Sequence, residues 1–398
     1  MIVLKNAKLV PELTEGTTLT LADVVLEDDT ISQILPPDSQ LDGQHEEFDL
    51  KGKTLLPGLI DMHVHLFMGK RNPWNGKDRI SVPAQRAFDC LRFAQFLLDL
   101  GFTTVRDVGD TWGYPAIAAR NAINDGDFVG PTIQTSGVTI SPHTAGFEAY
   151  DFMNCYVEDP YDMRRIVREQ FEKGVDLIKL YGTGSMMVED SLPGRRILEA
   201  DEVREAVTIA KRKGSYCACH CHGAEAIGVM IDCGVHTIEH ASFITDESCK
   251  KLDGRKDIGI VPTLCCSCQE MNRIDGYGEA EIARYAIINE QRGKCLRNAY
   301  ENYDILMGWG TDLSLDSQSQ APFLEWQQRK EVMGVSNIDL LKQATINSAI
   351  LMNLDNEIGT VKVGKKADLI VVDGDPVQDI TVMYQKPLHI LRHGTVIR

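Results

Sequence analysis

The sequence contains no long apolar segment, no repeat of solenoid type and no low-complexity tract. No apolar run approaches the roughly 20 residues that a helix needs to span a bilayer. The first residues include Lys5 and Lys8 and are soon followed by Glu12 and Glu15, so we expect no apolar core of a secretory signal peptide. The composition, with 43% hydrophobic and 25% charged residues, excludes disorder and collagen-like architecture and is typical of an ordinary globular protein.

The chain has fewer basic than acidic residues. Lys and Arg together number 41 against 58 Asp and Glu, which gives a formal net charge of −17. A chain this acidic repels phosphate backbones and anionic lipid surfaces. We therefore expect a small-molecule partner and neither nucleic acid nor membrane.

Paired cysteines are not indicated. The chain has 11 cysteines, an odd number, and its first residues lead us to expect no export signal. Such a set is typical of reduced thiols in a reducing compartment. We expect a cytoplasmic protein.

The 398 residues separate into β-rich ends and an alternating middle. Short β-type runs and turn signals fill residues 1–56 and 359–398, and the latter range begins with a strand-like segment over 359–363. Residues 57–358 alternate apolar β-type runs with helical patterns, which is typical of βα units. We predict an α/β fold: a (β/α)8 TIM-like barrel over 57–358, and a small β-sandwich domain composed of the two terminal segments. A doubly wound sheet is the alternative.

Four helix and strand pairs carry this prediction. In the first, apolar residues follow a helical period from Ala84 to Leu100, Gly101 provides a stop, and a β-type segment follows. The predicted pairs are helix 84–100 with strand 103–108, helix 161–173 with strand 175–181, helix 200–213 with strand 215–220, and helix 225–233 with strand 237–239. A longer helix over 279–301 would cover the barrel or contact a second subunit in a homo-oligomer.

Several residues suited to metal binding lie at the ends of β-type runs. His63 and His65 end the run from Leu55, and their i, i+2 spacing in a strand places both imidazoles on one face. The side chains of His220, His222, His240 and Asp312 also follow β-type segments. In a barrel the carboxyl ends of the strands meet at one mouth, so these side chains would converge there.

Lys179 lies within the apolar strand Asp176-Leu-Ile-Lys-Leu-Tyr181, on the same face as Leu177 and Tyr181. A buried lysine is costly unless it is paired or neutral. Two interpretations are open: an ion pair with a carboxylate, or a free amine that takes up carbon dioxide and bridges two cations as a carbamate.

The cysteine groups 217, 219, 221 and 265, 266, 268 invite comparison with a metal cluster. Strand alternation places the first three thiols on the face opposite to His220. We interpret both groups as reduced packing residues.

Taken together, these motifs resemble the metal-dependent amidohydrolase superfamily over essentially the whole chain. The similarity is carried by Pro57-Gly-Leu-Ile-Asp-Met-His63-Val-His65, Lys179, His220, His240, Gly310-Thr-Asp312 and the terminal segment Gly359 to Val372. The segments Thr103 to Gly109, His220-Cys-His-Gly-Ala-Glu225 and Ile238-Glu-His240 resemble the Xaa-Pro dipeptidase-like and zinc carboxypeptidase-like branch, which is related to imidazolonepropionase.

The resemblance implies a site with two divalent metal ions, typically zinc, and N6-carboxylation of Lys179. By similarity, His63, His65 and Asp312 would hold one metal, His220 and His240 the other, with carboxylated Lys179 between them. The resemblance also implies that a metal-bridging hydroxide attacks the carbonyl while Asp312 moves the proton. His220 is preferred over His222 as the ligand because the first histidine of this segment binds the metal in similar proteins, and His222 then becomes a substrate contact.

Three further residues are candidates for positions near the barrel mouth. His143 occupies the place where similar proteins carry a loop histidine that contacts the substrate carbonyl, so it is predicted as a catalytic donor. Tyr181 could donate its hydroxyl to a substrate carboxylate or simply pack at the barrel mouth. Arg106 could neutralise a terminal carboxylate, but a local ion pair with its neighbour Asp107 or a strand-end role is the simpler interpretation, so Arg106 is not among the predicted site residues.

The predicted function is hydrolysis of an amide bond next to a free carboxylate, as in a dipeptide, an Xaa-Pro-like substrate or an N-acyl amino acid. The alternative keeps the metals but changes the target to a cyclic amide, as in imidazolonepropionase-like relatives, or to an unusual amide such as a mycotoxin. Lys179 favours the linear amide. A non-catalytic scaffold is the remaining alternative, and the full set of six ligand candidates argues against it.

Overall fold

The computed structural model of the chain describes residues 1–69, 82–144, 147–184, 194–274 and 276–398. These residues form strands β1 (Ile2–Leu9), β2 (Leu21–Glu27), β3 (Thr30–Leu35), β4 (Glu46–Asp49), β5 (Thr54–Pro57), β6 (Leu59–Val64), β7 (Phe102–Asp107), β8 (Thr132–Thr135), β9 (Thr139–Pro142), β10 (Asn154–Val157), β11 (Ile178–Tyr181), β12 (Cys217–Cys221), β13 (Thr237–His240), β14 (Gly259–Val261), β15 (Leu369–Val372), β16 (His389–Arg392) and β17 (Thr395–Val396).

The helices alternate with the central strands. They are α1 (Pro83–Asp99), α2 (Pro115–Asn124), α3 (Pro160–Lys173), α4 (Ala200–Arg212), α5 (Ala224–Cys233), α6 (Asp246–Leu252), α7 (Gln269–Ile274), α8 (Glu279–Asn302), α9 (Leu315–Gln320), α10 (Leu324–Gln328), α11 (Asn337–Lys342) and α12 (Ser348–Leu351). Wider π-type turns continue α10 over Arg329–Met333 and join α11 to α12 over Gln343–Asn347. No helix in the described ranges has the length and apolar character needed to cross a membrane.

The two ends of the chain share one sheet. Its strands follow the order β17-β16-β15-β5-β1-β2-β3, so C-terminal strands lie directly beside N-terminal ones. Strand β1 pairs with β4 through Ile2 to Lys5 and with β5 through Lys8 and Leu9. The composite sheet agrees with the expectation from the sequence, whereas its two-layered sandwich form and the domain limits stay predictions.

One predicted strand of this region is not formed. Over residues 359–363 the described pairing is a single bridge between Val361 and Thr14. Gly359 and Gly364 adopt positive φ angles of 90° and 89°, which bend the chain at both ends of this segment. The segment is therefore a connection, and its backbone pairs with the turn at Thr14 between β1 and β2.

The central strands are parallel. Strands β6, β7 and β8 form one sheet, and β10-β9-β11-β12-β13-β14 form another. From β6 to β8 and from β11 to β14, neighbours in the sheet follow one another along the chain, as in a barrel and unlike the reversed order of a doubly wound sheet. The predicted helix and strand limits in this part are met to within three residues, the largest difference being at the start of β11.

Backbone hydrogen bonds connect these two sheets at both sides. On one side the amide of Asp176 donates to the carbonyl of Thr135 at 2.8 Å. On the other, Gly308 donates to Ile260 at 2.9 Å and Met62 donates to Trp309 at 2.8 Å, so the segment 306–312 lies between β14 and β6. These bonds support the prediction that the central strands close into an eight-stranded barrel, which stays a prediction.

Strand alternation sorts the side chains of the central sheets. Leu177, Tyr216 and Ala218 pack with Val108 in one small apolar cluster. Residues of the other parity, including Ile178 and Leu180, pack in the large core together with residues of α1 to α5. The thiols of Cys217, Cys219 and Cys221 belong to this large core, as the alternation predicted.

Candidate metal centre

The predicted metal ligands lie where the central strands end. His63 is in β6 and His65 follows it, Lys179 is in β11, His220 is in β12 and His240 is the last residue of β13. Asp312 follows the segment that lies beside β6, and its amide donates to the carbonyl of His63 at 2.8 Å. Parallel neighbours thus place all six side chains at one edge of the central sheets.

The distances show that these side chains form one cluster. An Asp312 Oδ1 atom lies 3.6 Å from Nε2 of His63 and 3.4 Å from Nε2 of His65. The ring of His240 lies 5.0 Å from that of His63 and 4.6 Å from that of His220, measured between centroids. Two triplets have candidate ligand atoms within 4.8 Å of one another: His63, His240 and Asp312, and His220, His222 and His240.

In three of the histidines, Nδ1 lies within hydrogen-bond distance of a group outside the cluster. Nδ1 of His63 lies 2.7 Å from Glu239 Oε2, Nδ1 of His65 lies 3.0 Å from the carbonyl of Gly109, and Nδ1 of His240 lies 2.7 Å from the Thr263 hydroxyl. A second contact of this kind fixes the tautomer of a metal-binding histidine. Nε2 of His63 is buried without a hydrogen-bond partner among the described residues, as expected of an atom that binds a cation.

His220 and His222 both face this cluster. Nε2 of His220 lies 3.3 Å from the carbonyl of Gly184, which leaves its Nδ1 for a ligand role. Nδ1 of His222 lies 2.8 Å from the Ser242 hydroxyl, and its ring stacks on that of His240 at 4.8 Å between centroids. The geometry is compatible with either residue as a metal ligand.

Three strand ends adopt left-handed backbone conformations without glycine. The φ angles are 68° at His240, 46° at Thr263 and 56° at Asp312. Such conformations cost about 1 to 3 kcal/mol each and tend to occur at functional sites. Asp61 helps to hold the third, because its carboxylate accepts from the amide and hydroxyl of Thr311 at 3.2 and 2.7 Å.

Burial keeps the histidines neutral. It lowers the pKa of His65 to about 4 and that of His220 to about 3, with the nearby charge of Lys179 as the next cause. The pKa values of His63 and His240 are likewise lowered well below the usual range, first by burial. Neutral imidazole is the form that binds metal ions, so the cluster is ready to accept cations at neutral pH.

The acid and the amine of the cluster are also shifted by burial. Burial raises the pKa of Asp312 to about 7, although the charge of Lys179 opposes this shift. Burial lowers the pKa of Lys179. Within the described part of the chain no acceptor lies within hydrogen-bond distance of the Lys179 amine, so the predicted ion pair is not formed there.

Two predicted substrate contacts are placed differently by the structure. Tyr181 is buried, with its ring 4.7 Å from that of His220, and so lies at the cluster. The side chain of His143 is 65% exposed, stacks on Tyr156 and has Nε2 3.8 Å from Glu158. The structure thus does not bring His143 into the cluster, and its catalytic role stays a prediction.

Arg106 was assigned wrongly to a pair with Asp107. Its guanidinium donates to Glu239 Oε1 at 2.8 Å, while Asp107 accepts from Leu66 and from the Thr135 hydroxyl. Glu239 was not predicted as a site residue from the sequence, although it contacts His63 directly. The buried positions of both charged residues within short strands were the available signal, since each then requires a buried partner.

The chain matches the amidohydrolase family over residues 54–396. It is 26% identical to an ochratoxinase of Aspergillus niger over 87% of this chain and 76% of that protein. It is 24% identical to an imidazolonepropionase of Streptococcus sanguinis over 85% of this chain and 80% of that protein.

Among solved structures, the fold is similar to that of a Xaa-Pro dipeptidase with bound methionine in the active site. The TM-score is 0.87 and the identity 28%, and the match covers 100% of this chain and 99% of the other. Because the family match spans most of the chain, this protein belongs to the amidohydrolase family and is a hydrolase of carbon–nitrogen bonds.

Proposed function

We propose that the protein uses two divalent metal ions to hydrolyse an amide bond next to a free carboxylate, in a dipeptide, an Xaa-Pro-like substrate or an N-acyl amino acid. The observation that carries this proposal is a cluster of four neutral histidines and one carboxylate, in which Asp312 Oδ1 lies 3.6 and 3.4 Å from Nε2 of His63 and of His65. Neutral nitrogens and a carboxylate form the donor set of metallohydrolases.

The proposed ligands are those that the similarity to the family implies. His63, His65 and Asp312 would hold one ion, and His220 and His240 the other. Lys179 would lie between them as a carbamate, which is supported by its burial, its lowered pKa and the lack of an acceptor for its amine in the described ranges. Zinc suits the mixed nitrogen and oxygen donors, as do manganese, cobalt and iron.

The chemistry that bound divalent ions would supply is a lower pKa for bound water and polarisation of the scissile carbonyl. Asp312 would transfer protons: its carboxylate would accept a proton from the attacking water and return it to the leaving amine, and burial raises the pKa of this carboxyl above its usual value. Tyr181 and His222 lie beside the same cluster and would contact the substrate.

The substrate class rests on the relatives and on Lys179. The similar Xaa-Pro dipeptidase supports a linear amide next to a carboxylate. The ochratoxinase and imidazolonepropionase relatives favour the second candidate, an unusual or a cyclic amide. A buried lysine that has no acceptor among the described residues, beside four histidines, is costly for a scaffold and favours a site with activity.

The test is to incubate the zinc-supplemented protein with dipeptides, Xaa-Pro dipeptides and N-acyl amino acids, and to detect released amino acids by mass spectrometry. Release from a related subset would support the proposal and identify the residue on the carboxylate side. If metal binds but no amino acid is released, the second candidate, a cyclic or unusual amide, is favoured. If the protein binds no metal and releases no amino acid, the proposal is contradicted.

The role of Asp312 is tested separately with Asp312→Asn. We expect turnover to fall by about 10²- to 10⁴-fold, the range that a proton-transfer group contributes, while metal content stays close to that of the wild type. Near-native turnover would exclude Asp312 as the base.

A further inference from the structure

We propose that Arg106, Thr237 and Glu239 form a positioning network that orients His63 for metal binding. This inference rests on the proposed function, because it concerns one of the proposed ligands. All of these side chains are fully buried, and they come from β7 and β13 while His63 is in β6. The network therefore connects three strands at the base of the cluster.

The two carboxylate oxygens of Glu239 contact different partners. Oε1 accepts from Arg106 at 2.8 Å and from the Thr237 hydroxyl at 2.6 Å. Oε2 lies 2.7 Å from Nδ1 of His63. Because two donors fix Oε1, the carboxylate cannot rotate away from the imidazole, and it holds the proton of His63 on Nδ1.

Arg106 also holds the backbone next to His63. Its Nε donates to the carbonyl of Met62 at 2.7 Å, and its Nη1 donates to the Thr237 hydroxyl at 3.0 Å. One guanidinium thus holds both the peptide group that precedes His63 and the carboxylate that contacts its ring. The planar fork of arginine suits this arrangement, and lysine cannot reproduce it.

The chemical result concerns the other nitrogen of His63. With Nδ1 donating to Glu239, the lone pair on Nε2 points to the cluster, where this atom is buried and lacks a partner among the described residues. His65 and His240 use a backbone carbonyl and a hydroxyl for the same purpose, whereas His63 uses a carboxylate. A carboxylate partner makes the imidazole the more basic ligand.

A purely structural ion pair is the competing explanation. Burying an arginine and a carboxylate gains little net stability compared with apolar residues of similar volume. The contact between Glu239 and His63 provides another reason for the buried pair, namely the orientation of a proposed metal ligand. The two explanations differ in whether metal affinity changes when the metal-free protein stays folded.

The experiment uses the full chain with its metal removed and measures the zinc dissociation constant by competition with a chromophoric chelator. Glu239→Gln keeps the shape but leaves either Arg106 or His63 facing an amide donor. We expect zinc binding to weaken by about 10- to 100-fold, the usual effect of losing such a partner. Arg106→Lys is the second variant, with an effect in the same direction, in case Glu239→Gln does not fold.

Glu325→Gln is the matched control. Glu325 is equally buried and pairs with buried Arg329 at 2.6 Å, but it contacts none of the proposed ligands in the described residues. We expect it to lower the melting temperature of the metal-free protein while zinc affinity stays unchanged. If Glu239→Gln behaves in the same way as this control, the network is structural and the inference is overturned.

His63→Ala separates this outcome from failure of the proposed function. If the wild type binds no zinc, or His63→Ala binds it as well as the wild type does, the proposed site and the inference both fail. If His63→Ala weakens binding and neither Glu239→Gln nor Arg106→Lys does, the site stands and only the inference fails.

Discussion

Lys179 shows how burial decides the chemistry of a single residue. Its side chain is buried in β11 beside neutral histidines, and burial lowers its pKa. A neutral amine is the form that reacts with carbon dioxide. The same residue in an exposed helix would remain an ammonium ion and would be unsuitable as a ligand.

We predict that Lys179→Ala loses the paired metal site, because no bridging oxygen ligand remains. A short carboxylate such as acetate should restore part of the metal content and activity, measured by atomic absorption and by amino acid release. Lys365→Ala is the control, since Lys365 is also buried but bonds to Ile358 and Thr360 in the terminal region. Full metal occupancy of Lys179→Ala without added carboxylate would contradict carboxylation.

At Gly109 the backbone lies so close to the His65 imidazole that there is no space for a side chain. A Cβ atom at this position would lie 2.8 Å from Cε1 and 2.9 Å from Nδ1 of His65. We predict that Gly109→Ala displaces this imidazole and lowers kcat/KM by about 100-fold, as expected for a misplacement of around 1 Å.

The control for Gly109 is Gly228→Ala in α5, where the nearest atom to a new Cβ is 3.7 Å away. This variant should keep its kcat/KM and gain helix stability, because alanine is favoured over glycine within a helix. Wild-type kcat/KM in Gly109→Ala would show that the loop adjusts without moving His65.

At the scale of elements, the chain provides local start and stop signals. Helix α3 begins after Asp159, whose side chain accepts from the amides of Tyr161 and Asp162 at 2.8 and 2.9 Å, and it ends at Gly174 with a φ of 92°. Pro160 occupies the first helical position, where its missing amide proton costs nothing. These signals explain why the helix was predictable to within one residue.

We predict that Asp159→Ala lowers the free energy of unfolding by about 1 kcal/mol, since two helix amides lose their acceptor. Asp159→Asn retains a side-chain oxygen and should lose less. Urea denaturation measures both, and metal content should be unaffected because α3 contributes no proposed ligand. Equal stability of the alanine variant and the wild type would mean that water replaces the cap without cost.

At the scale of the whole molecule, an ion-pair network joins the two ends of the chain. Glu15 accepts from Lys362 at 2.6 Å and from the Thr360 hydroxyl at 2.8 Å, and buried Lys365 lies 3.7 Å away. The hydrogen bond from Lys362 is the first cause that lowers the pKa of Glu15 below its usual value near 4.5. The network ties an N-terminal turn to the segment that precedes β15.

The sign of the resulting pH dependence follows from this shift. A carboxyl group whose pKa is lowered by folding contributes stability above its unfolded pKa and loses that contribution as the pH falls through its folded pKa. We predict that Glu15→Gln is less stable than the wild type by at most about 1 kcal/mol at pH 7, because the pair is partly exposed. The difference should shrink as the pH falls below about 4.5 and vanish once the pH is below the lowered pKa of folded Glu15, where both side chains are neutral.

Urea denaturation at several pH values measures this difference, with exposed Glu12→Gln as the control. A difference between Glu15→Gln and the wild type that persists unchanged at pH 3 would show that the pair is not the source.

The sequence by itself predicted the mixed α/β class of the fold and the proposed metal ligands, most of which the structure brings together at the candidate site. Periodicity and turn residues are local properties, so the alternation of helices and parallel strands and the opposite faces of His220 and the neighbouring cysteines could be predicted. The position of His63, His65, His240 and Asp312 at strand ends followed from the same reasoning, because parallel strands end together.

The tertiary structure decided what contacts what. The pairing of Arg106 with Glu239 across 133 positions, the exposure of His143 and the unformed strand at 359–363 depend on the packing of distant segments. A local pattern cannot specify such contacts, because a buried charge selects its partner by distance and geometry in the folded state. For this reason the sequence identified the proposed ligands, whereas the groups that orient them became visible only in three dimensions.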